Sequence, residues 1–284
     1  MAGLKKANNG SNDNELDKVV SQIEDENIRV LNDEVEVGED GLVHDVPLLA
    51  GYVDSEGTLH TTFTYREMNG KDEEAISKAD VRQNGAKMVN VLVERCVVAI
   101  GTLTKKECGA RWGTIIREML GGDLDYMAFK IRELSKGKEV EFQHKCPNCG
   151  SKLTTIVNTD EFEINPYMGQ PVIDFSLIRG YKDKMGTHTE GVLRLPNGFD
   201  REIVTPLFRK NVSTGMTMLI TRLISFNDGA LVTQNNVNEM TLRDREILEK
   251  IIKENTFGIN TSFELICSSC GQDISGEVGE SNFL

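Results

Sequence analysis

A chain of 284 residues is long enough for one large domain or two ordinary ones, and its 39% hydrophobic content suits a globular protein. No apolar run reaches the length of a membrane span and the N-terminus lacks a signal-peptide core, so no membrane partner and a cytoplasmic setting with reduced cysteines are expected. A formal net charge of −13 argues against a nucleic-acid backbone as partner.

Residues 1–45 hold twelve acids against four bases and no aromatic residue. Such a segment buries too little apolar surface to offset its ordering entropy, and it reads as an acidic, largely disordered arm. One island within it, Leu16, Val19, Val20 and Ile23, recurs at helical spacing.

Beyond the arm the chain contains itself twice. The stretch Arg66-Glu67-Met68-Asn69-Gly70-Lys71-Asp72-Glu73-Glu74 matches Arg194-Leu195-Pro196-Asn197-Gly198-Phe199-Asp200-Arg201-Glu202 at an offset of 128. Gly85 and Met88 match Gly215 and Met218 at an offset of 130. From Met119 onward a gapless offset of 121 pairs Asp123 with Asp244, Ile131 with Ile252, Gly137 with Gly258 and Phe142 with Phe263. A shared register over this length marks an internal repeat. The organisation predicted is an arm at 1–45, a first unit at 46–163, a linker at 164–187 and a second unit at 188–284. The linker carries Pro166, Pro171 and several glycines, with a strand expected at Val172 to Leu177.

Within the units, Thr58 to Tyr65 and His188 to Leu195 read as strands, the first with Leu59, Thr61, Phe63 and Tyr65 on one face. Asn-Gly is turn chemistry, and the aspartate two positions later is expected to cap a short helix. An apolar helix follows, carrying Met88, Val91, Leu92, Cys96 and Ile100, with Met216, Leu219, Ile220, Leu223 and Ile224 as its second copy. A third helix opens near Asp123, whose carboxylate is placed to accept N–H bonds at the helix start. It carries Leu124, Met127, Ile131 and Leu134 on one stripe and stops at Gly137. Its copy runs from Thr241 to Phe257. Strands Glu139 to His144 and Thr261 to Ile266 then lead into two cysteine turns, with return strands at Lys152 to Asn158 and Asp273 to Val278.

Those turns are Cys146-Pro147-Asn148-Cys149-Gly150 and Cys267-Ser268-Ser269-Cys270-Gly271. Two such knuckles supply four thiolates, the count a closed tetrahedral zinc site needs. Cys146, Cys149, Cys267 and Cys270 are therefore the candidate ligands of one structural Zn2+ that clamps the units about a pseudo-twofold axis. Two alternatives share the spacing. A redox pair belongs at a helix start after a strand, whereas these turns are followed by strand-like sequence. Disulfides need an oxidising compartment. The fold class expected is α+β and helix-rich: two tandem copies of a helical unit, each ending in a Cys-x-x-Cys β-hairpin knuckle, joined at a shared zinc-ribbon-like site.

Other residues carry no comparable signal. His144 precedes the first knuckle, but its counterpart is Leu265, so an imidazole ligand is not expected there. Cys96 reads as a small core residue, and Cys108 is unpaired in the repeat. Trp112, the single tryptophan, serves the core or a partner contact. Without a phosphate loop, a nucleophile elbow or a histidine cluster, an enzyme is not expected.

The run from Leu49-Ala50-Gly51-Tyr52-Val53-Asp54 into Arg66 to Glu74, the Gly122-Asp123 helix start, the Ser135-to-Gly137 helix end and Cys-Pro-x-Cys-Gly form one ordered series. In this order the chain resembles the baseplate hub assembly chaperone family of T-even-type phages, with relatives in other contractile tails and phage-derived injection systems. The likeness covers most of residues 48–163 and, more loosely, the second copy. It departs at Ser268, where the knuckle proline would stand, and in the acidic arm. The resemblance implies no catalysis. It implies binding to hub or other tail proteins, as an assembly chaperone or a minor tail component, in the bacterial host cytoplasm during tail assembly or retained in the virion. A zinc ribbon is also a frequent nucleic-acid module, and a nucleic-acid-binding regulator is the alternative. The acidic balance and the lack of a basic stripe around the knuckles argue against it.

Overall fold

A computed structural model describes residues 36–277. The island at Leu16 to Ile23 lies outside that range. The first half opens with β1 (Leu42–Val53) and β2 (Leu59–Arg66), an antiparallel hairpin closed where Asp54 accepts the N–H groups of Glu56 and Thr58. Of the face expected on β2, Phe63 and Tyr65 enter the core, while Leu59 and Thr61 lie exposed toward the turn end of the hairpin. Three helices follow: α1 (Gly70–Ile76), α2 (Ala79–Arg82) and α3 (Gly85–Cys96). The residue that caps α1 is Asn69. Asp72 stands at the third helical position and closes the capping box by accepting the Asn69 N–H.

The expected continuation of α3 to Ile100 does not form. The helix ends at Cys96, and β3 (Val97–Ile100) pairs with β2 and with β4 (Leu103–Thr104), giving a sheet in the order β1-β2-β3-β4. β-branched side chains lose rotamer freedom in a helix, and the free edge of β2 offers this run ladder bonds instead. Short helices α4 (Lys105–Cys108) and α5 (Trp112–Glu118) lead to α6 (Gly121–Lys136). Helix α6 buries Leu124, Met127 and Ile131, with Leu134 packed at the margin, and ends at Gly137, whose φ of +81° places it in the left-handed region. The hairpin β5 (Glu139–Lys145) and β6 (Lys152–Asn158) carries the first cysteine turn, and β7 (Glu163–Asn165) follows it.

The strand expected inside residues 164–187 is longer than its sequence signal. β8 (Val172–Lys182) pairs with β9 (Thr187–Arg194), and β10 (Ile224–Phe226) completes a sheet in the order β10-β9-β8. Between them lie α7 (Gly198–Lys210) and α8 (Val212–Leu223). Ile224, expected on the helix, starts β10 for the reason that Val97 starts β3. The chain continues through α9 (Gln234–Asn238), α10 (Leu242–Glu254) and β11 (Gly258–Asn260). It reaches a second hairpin, β12 (Ser262–Ile266) and β13 (Asp273–Glu277), which carries the second cysteine turn.

One apolar core lies between the first sheet and α3, α5 and α6; a second lies between the β8–β10 sheet and α8 to α10. Several connections join the halves. β7 pairs with β11, Leu120 bridges Asn197, and an ionic cluster sets the Arg117 guanidinium 2.9 Å from Glu202 and 2.7 Å from Glu94. The cysteine site is a further one.

Candidate metal centre

Each cysteine turn is built the same way. The first-cysteine N–H donates across the turn to Ser151 (2.9 Å) or Gln272 (2.8 Å), and its carbonyl accepts from Gly150 (3.0 Å) or Gly271 (2.8 Å). Gly150 and Gly271 sit at φ +74° and +70°, a conformation that relieves the chain where it folds back toward the sulfurs. The hairpins therefore present two pre-shaped pairs of thiols.

The fold brings the four together. All four sulfurs lie within 4.8 Å of one another, with Cys146 Sγ 3.8 Å from Cys270 Sγ and Cys149 Sγ 3.8 Å from Cys267 Sγ. A disulfide needs about 2 Å, so these pairs are thiols. Tetrahedral Zn–S bonds of about 2.3 Å set neighbouring sulfurs about 3.8 Å apart, the separation seen here. The donor set and spacing are compatible with one metal ion of zinc or iron type. Four thiols complete the shell without an open position for substrate, which is the arrangement of a structural site. The redox-pair alternative has no footing in the geometry, because both turns sit in β-hairpins and neither opens a helix.

The pairing is reciprocal: the first cysteine of each knuckle faces the second of the other. Cys146 and Cys267 are buried, Cys149 and Cys270 exposed. Leu153 and Ile274, which match at the offset of 121, pack beneath the sulfurs from opposite hairpins. The Ser151 hydroxyl, 3.2 Å from Cys149 Sγ, holds that thiol down at about 6, while burial pushes Cys267 up to about 11. His144 stands outside the sulfur cluster, its ring 5.9 Å from that of Phe263 in the other hairpin. Cys96 is buried in the first core, where burial pushes its thiol up to about 12. Cys108 packs at that core's margin, and Trp112 is buried with its indole N–H on the Glu94 carbonyl.

Among known families, the model described as T4 bacteriophage base plate protein matches residues 53–279, most of the chain and both knuckles. The chain belongs to that family. No curated protein and no solved structure matches it. The baseplate family ties the chain to other baseplate or tail proteins.

Two constellations in this baseplate protein escaped the sequence. Asp72 was expected only at a helix start, yet its buried carboxylate also holds Arg66 (2.6 Å) and Arg95 (2.7 Å). Asp200 holds Arg194 (2.5 Å) and Arg222 (2.7 Å) in the same way. Burial opposes ionisation of both, but the arginine and backbone N–H bonds outweigh it, holding Asp72 at about 2 and Asp200 below the usual carboxylate range. The second constellation is Asp123, which accepts the N–H groups of Leu49, Ala50 and Gly51 in a bulge of β1 rather than those of its own helix start. Asp244 does likewise for Ile178 and Arg179 in β8. Gly51 (φ +84°) and Gly180 (φ +78°) turn the chain inside these bulges. The arginines correct one expected match. Arg95 and Arg222, with helix caps Asn84 and Asn211, align at an offset of 127, so Gly85 and Met88 do not correspond to Gly215 and Met218.

Proposed function

We propose that this baseplate-family protein is a zinc-stapled assembly factor of the tail hub. It acts by protein–protein binding, without catalysis, as a chaperone in the host cytoplasm or as a minor component retained in the virion. The observation that carries the reading is the family match across residues 53–279. The site adds its own support, because a closed four-thiol cluster is suited to holding a fold together and offers no open position for a reaction.

The same reading takes the chain as two tandem copies of one helical unit, at 46–163 and 188–284, joined zinc-ribbon fashion at Cys146, Cys149, Cys267 and Cys270. Recurring constellations support it. The arginine–aspartate–arginine cluster, the helix aspartate on a bulged strand and the cysteine knuckle each occur once per half. So does a histidine on a turn aspartate, His60 on Asp54 (3.1 Å) and His188 on Asp183 (3.0 Å). Zinc is the ion favoured, because four thiolates at tetrahedral spacing match its structural sites.

The test is co-purification. The tagged chain, produced alongside the tail proteins of a phage that encodes it, is expected to retain one or more hub proteins. Deleting it is expected to reduce the yield of complete baseplates. Counting the chain in purified particles against assembly intermediates separates chaperone from retained subunit. Normal baseplates without the chain, together with no retained tail protein, would overturn the reading.

A further inference from the structure

The two halves meet through a pair of surfaces, and each half owns a version of both. In the second half, Pro196-Asn197-Gly198 docks on Met119-Leu120-Gly121 of the first. The Gly121 N–H donates to the Pro196 carbonyl (3.0 Å) and the Gly198 N–H to the Met119 carbonyl (3.1 Å). At the offset of 128, the first half's version of the docking stretch is Met68-Asn69-Gly70. At the offset of 121, the second half's version of the receiving stretch is Met240-Thr241-Leu242.

Both of these counterparts are bare. Neither the Gly70 and Leu242 N–H groups nor the Met68 and Met240 carbonyls have a hydrogen-bond partner among the described residues. A Cβ built on Gly198 would lie 2.9 Å from Asn90 Oδ1 and 3.0 Å from the Arg117 Cα, whereas one built on Gly70 meets nothing within 4 Å. Gly121 is buried; its counterpart Leu242 is 77% exposed. Beside Gly70 opens a cleft of about 430 Å³ whose apolar lining is Met68, Ile76 and Met88.

We propose that this cleft receives the Met240–Arg243 stretch of a second copy of this chain, so that copies associate head to tail. The docking repeats the backbone exchange already made within the chain, Leu242 N–H to the Met68 carbonyl and Gly70 N–H to the Met240 carbonyl. Leu242 packs on the Met68, Ile76 and Met88 side of the cleft, and Arg243 faces Glu73 across its rim.

Side-chain size fits the exchange. Gly122 must be glycine where it is, since a Cβ would come 2.5 Å from the Phe257 ring and 2.6 Å from its carbonyl, and a Cβ on Gly121 would press on the Arg201 side chain at 2.9 Å. At the bare cleft the positions of Arg201 and Phe257 are taken by Glu73 and Lys136, and Arg82 also lines the cleft, so the incoming stretch meets no ring there and can carry Leu242, with Arg243 turned to Glu73 and away from the two bases. Each chain then offers one free cleft and one free stretch. Such a contact is heterologous and closes into a ring or extends as a filament.

The proposal rests on the duplication reading, since it transfers the contact between equivalent surfaces. The test is the mass of the full chain by light scattering and sedimentation between about 1 and 100 µM, a range that reads micromolar association. Wild type is expected to grow with concentration beyond one chain. Gly70→Pro removes the donor at a first helical position that tolerates proline, and Leu242→Asp alters an exposed side chain, so both should fold. Each alone should weaken association about tenfold or more. In an equimolar mixture the intact cleft of Leu242→Asp takes the intact stretch of Gly70→Pro, and the two ends left over are the damaged cleft and the damaged stretch, so the mixture should stop at a dimer. A wild type that stays at one chain's mass, a variant that associates like wild type, or a mixture that stays monomeric would each overturn the docking. Metal content and melting of the same samples read the staple independently, so loss of self-association alone leaves the duplication reading standing.

Discussion

The proposed metal staple makes a quantitative demand. Cys149 and Cys267 are 118 residues apart in sequence, and a bound ion would hold them as a cross-link does. Closing a loop of that length removes unfolded-state entropy worth about 5 kcal/mol at 25 °C on the chain-entropy model. For a domain of this size about 1 kcal/mol moves the melting temperature by about 2–4 °C, so stripping the ion should lower it by about 10–20 °C. The assay is calorimetry of the protein as purified, after a zinc chelator, and after zinc is restored, with elemental analysis on each sample. Cys149→Ser and Cys270→Ser should reproduce the loss, because both side chains are exposed and the change buries no polar group. Cys146→Ser and Cys267→Ser should cost about 1–3 kcal/mol more, the penalty for a buried hydroxyl without a partner. Protein free of metal as purified, with a melting curve indifferent to chelator and to Cys270→Ser, would refute the reasoning.

Three further outcomes are expected. Asp72→Ala and Asp200→Ala should each destabilise by about 3–5 kcal/mol in urea unfolding, since each strands two arginines; a neutral effect at either position would contradict the equivalence of the clusters. Both carboxyls ionise below their unfolded value near 4 (Asp72 at about 2), so the stability they contribute is present above pH 4. It should fade as pH falls from about 4 towards 2, and Asp72→Asn should flatten that limb of the curve. Gly198→Ala should cost about 1–3 kcal/mol by pressing on the Arg117 backbone, whereas Gly70→Ala should be neutral or slightly stabilising. Equal effects at the two glycines would mean that the halves do not meet as described.

What the sequence determined by itself was local. The cysteine turns, their hairpins and the helix ending at Gly137 are written in spacing, turn glycines and periodicity, all of which act within a few residues, whereas the helix expected to run to Phe257 ends at Glu254 and Gly258 opens β11. The matched letters behind the proposed duplication could be found for the same reason, since a shared register needs no contacts. The path of Val97 to Ile100 was not, because helix and strand were both open to that run until β2 supplied an edge. Arg95 as partner of Asp72, and β1 as the target of Asp123, join residues 23 and more than 70 positions apart, a choice that packing makes and composition does not record. The tertiary structure also decided which of two similar surfaces on each half is covered. Within the chain, Pro196-Asn197-Gly198 closes on Met119-Leu120-Gly121. The other cleft and the other stretch are left facing outward.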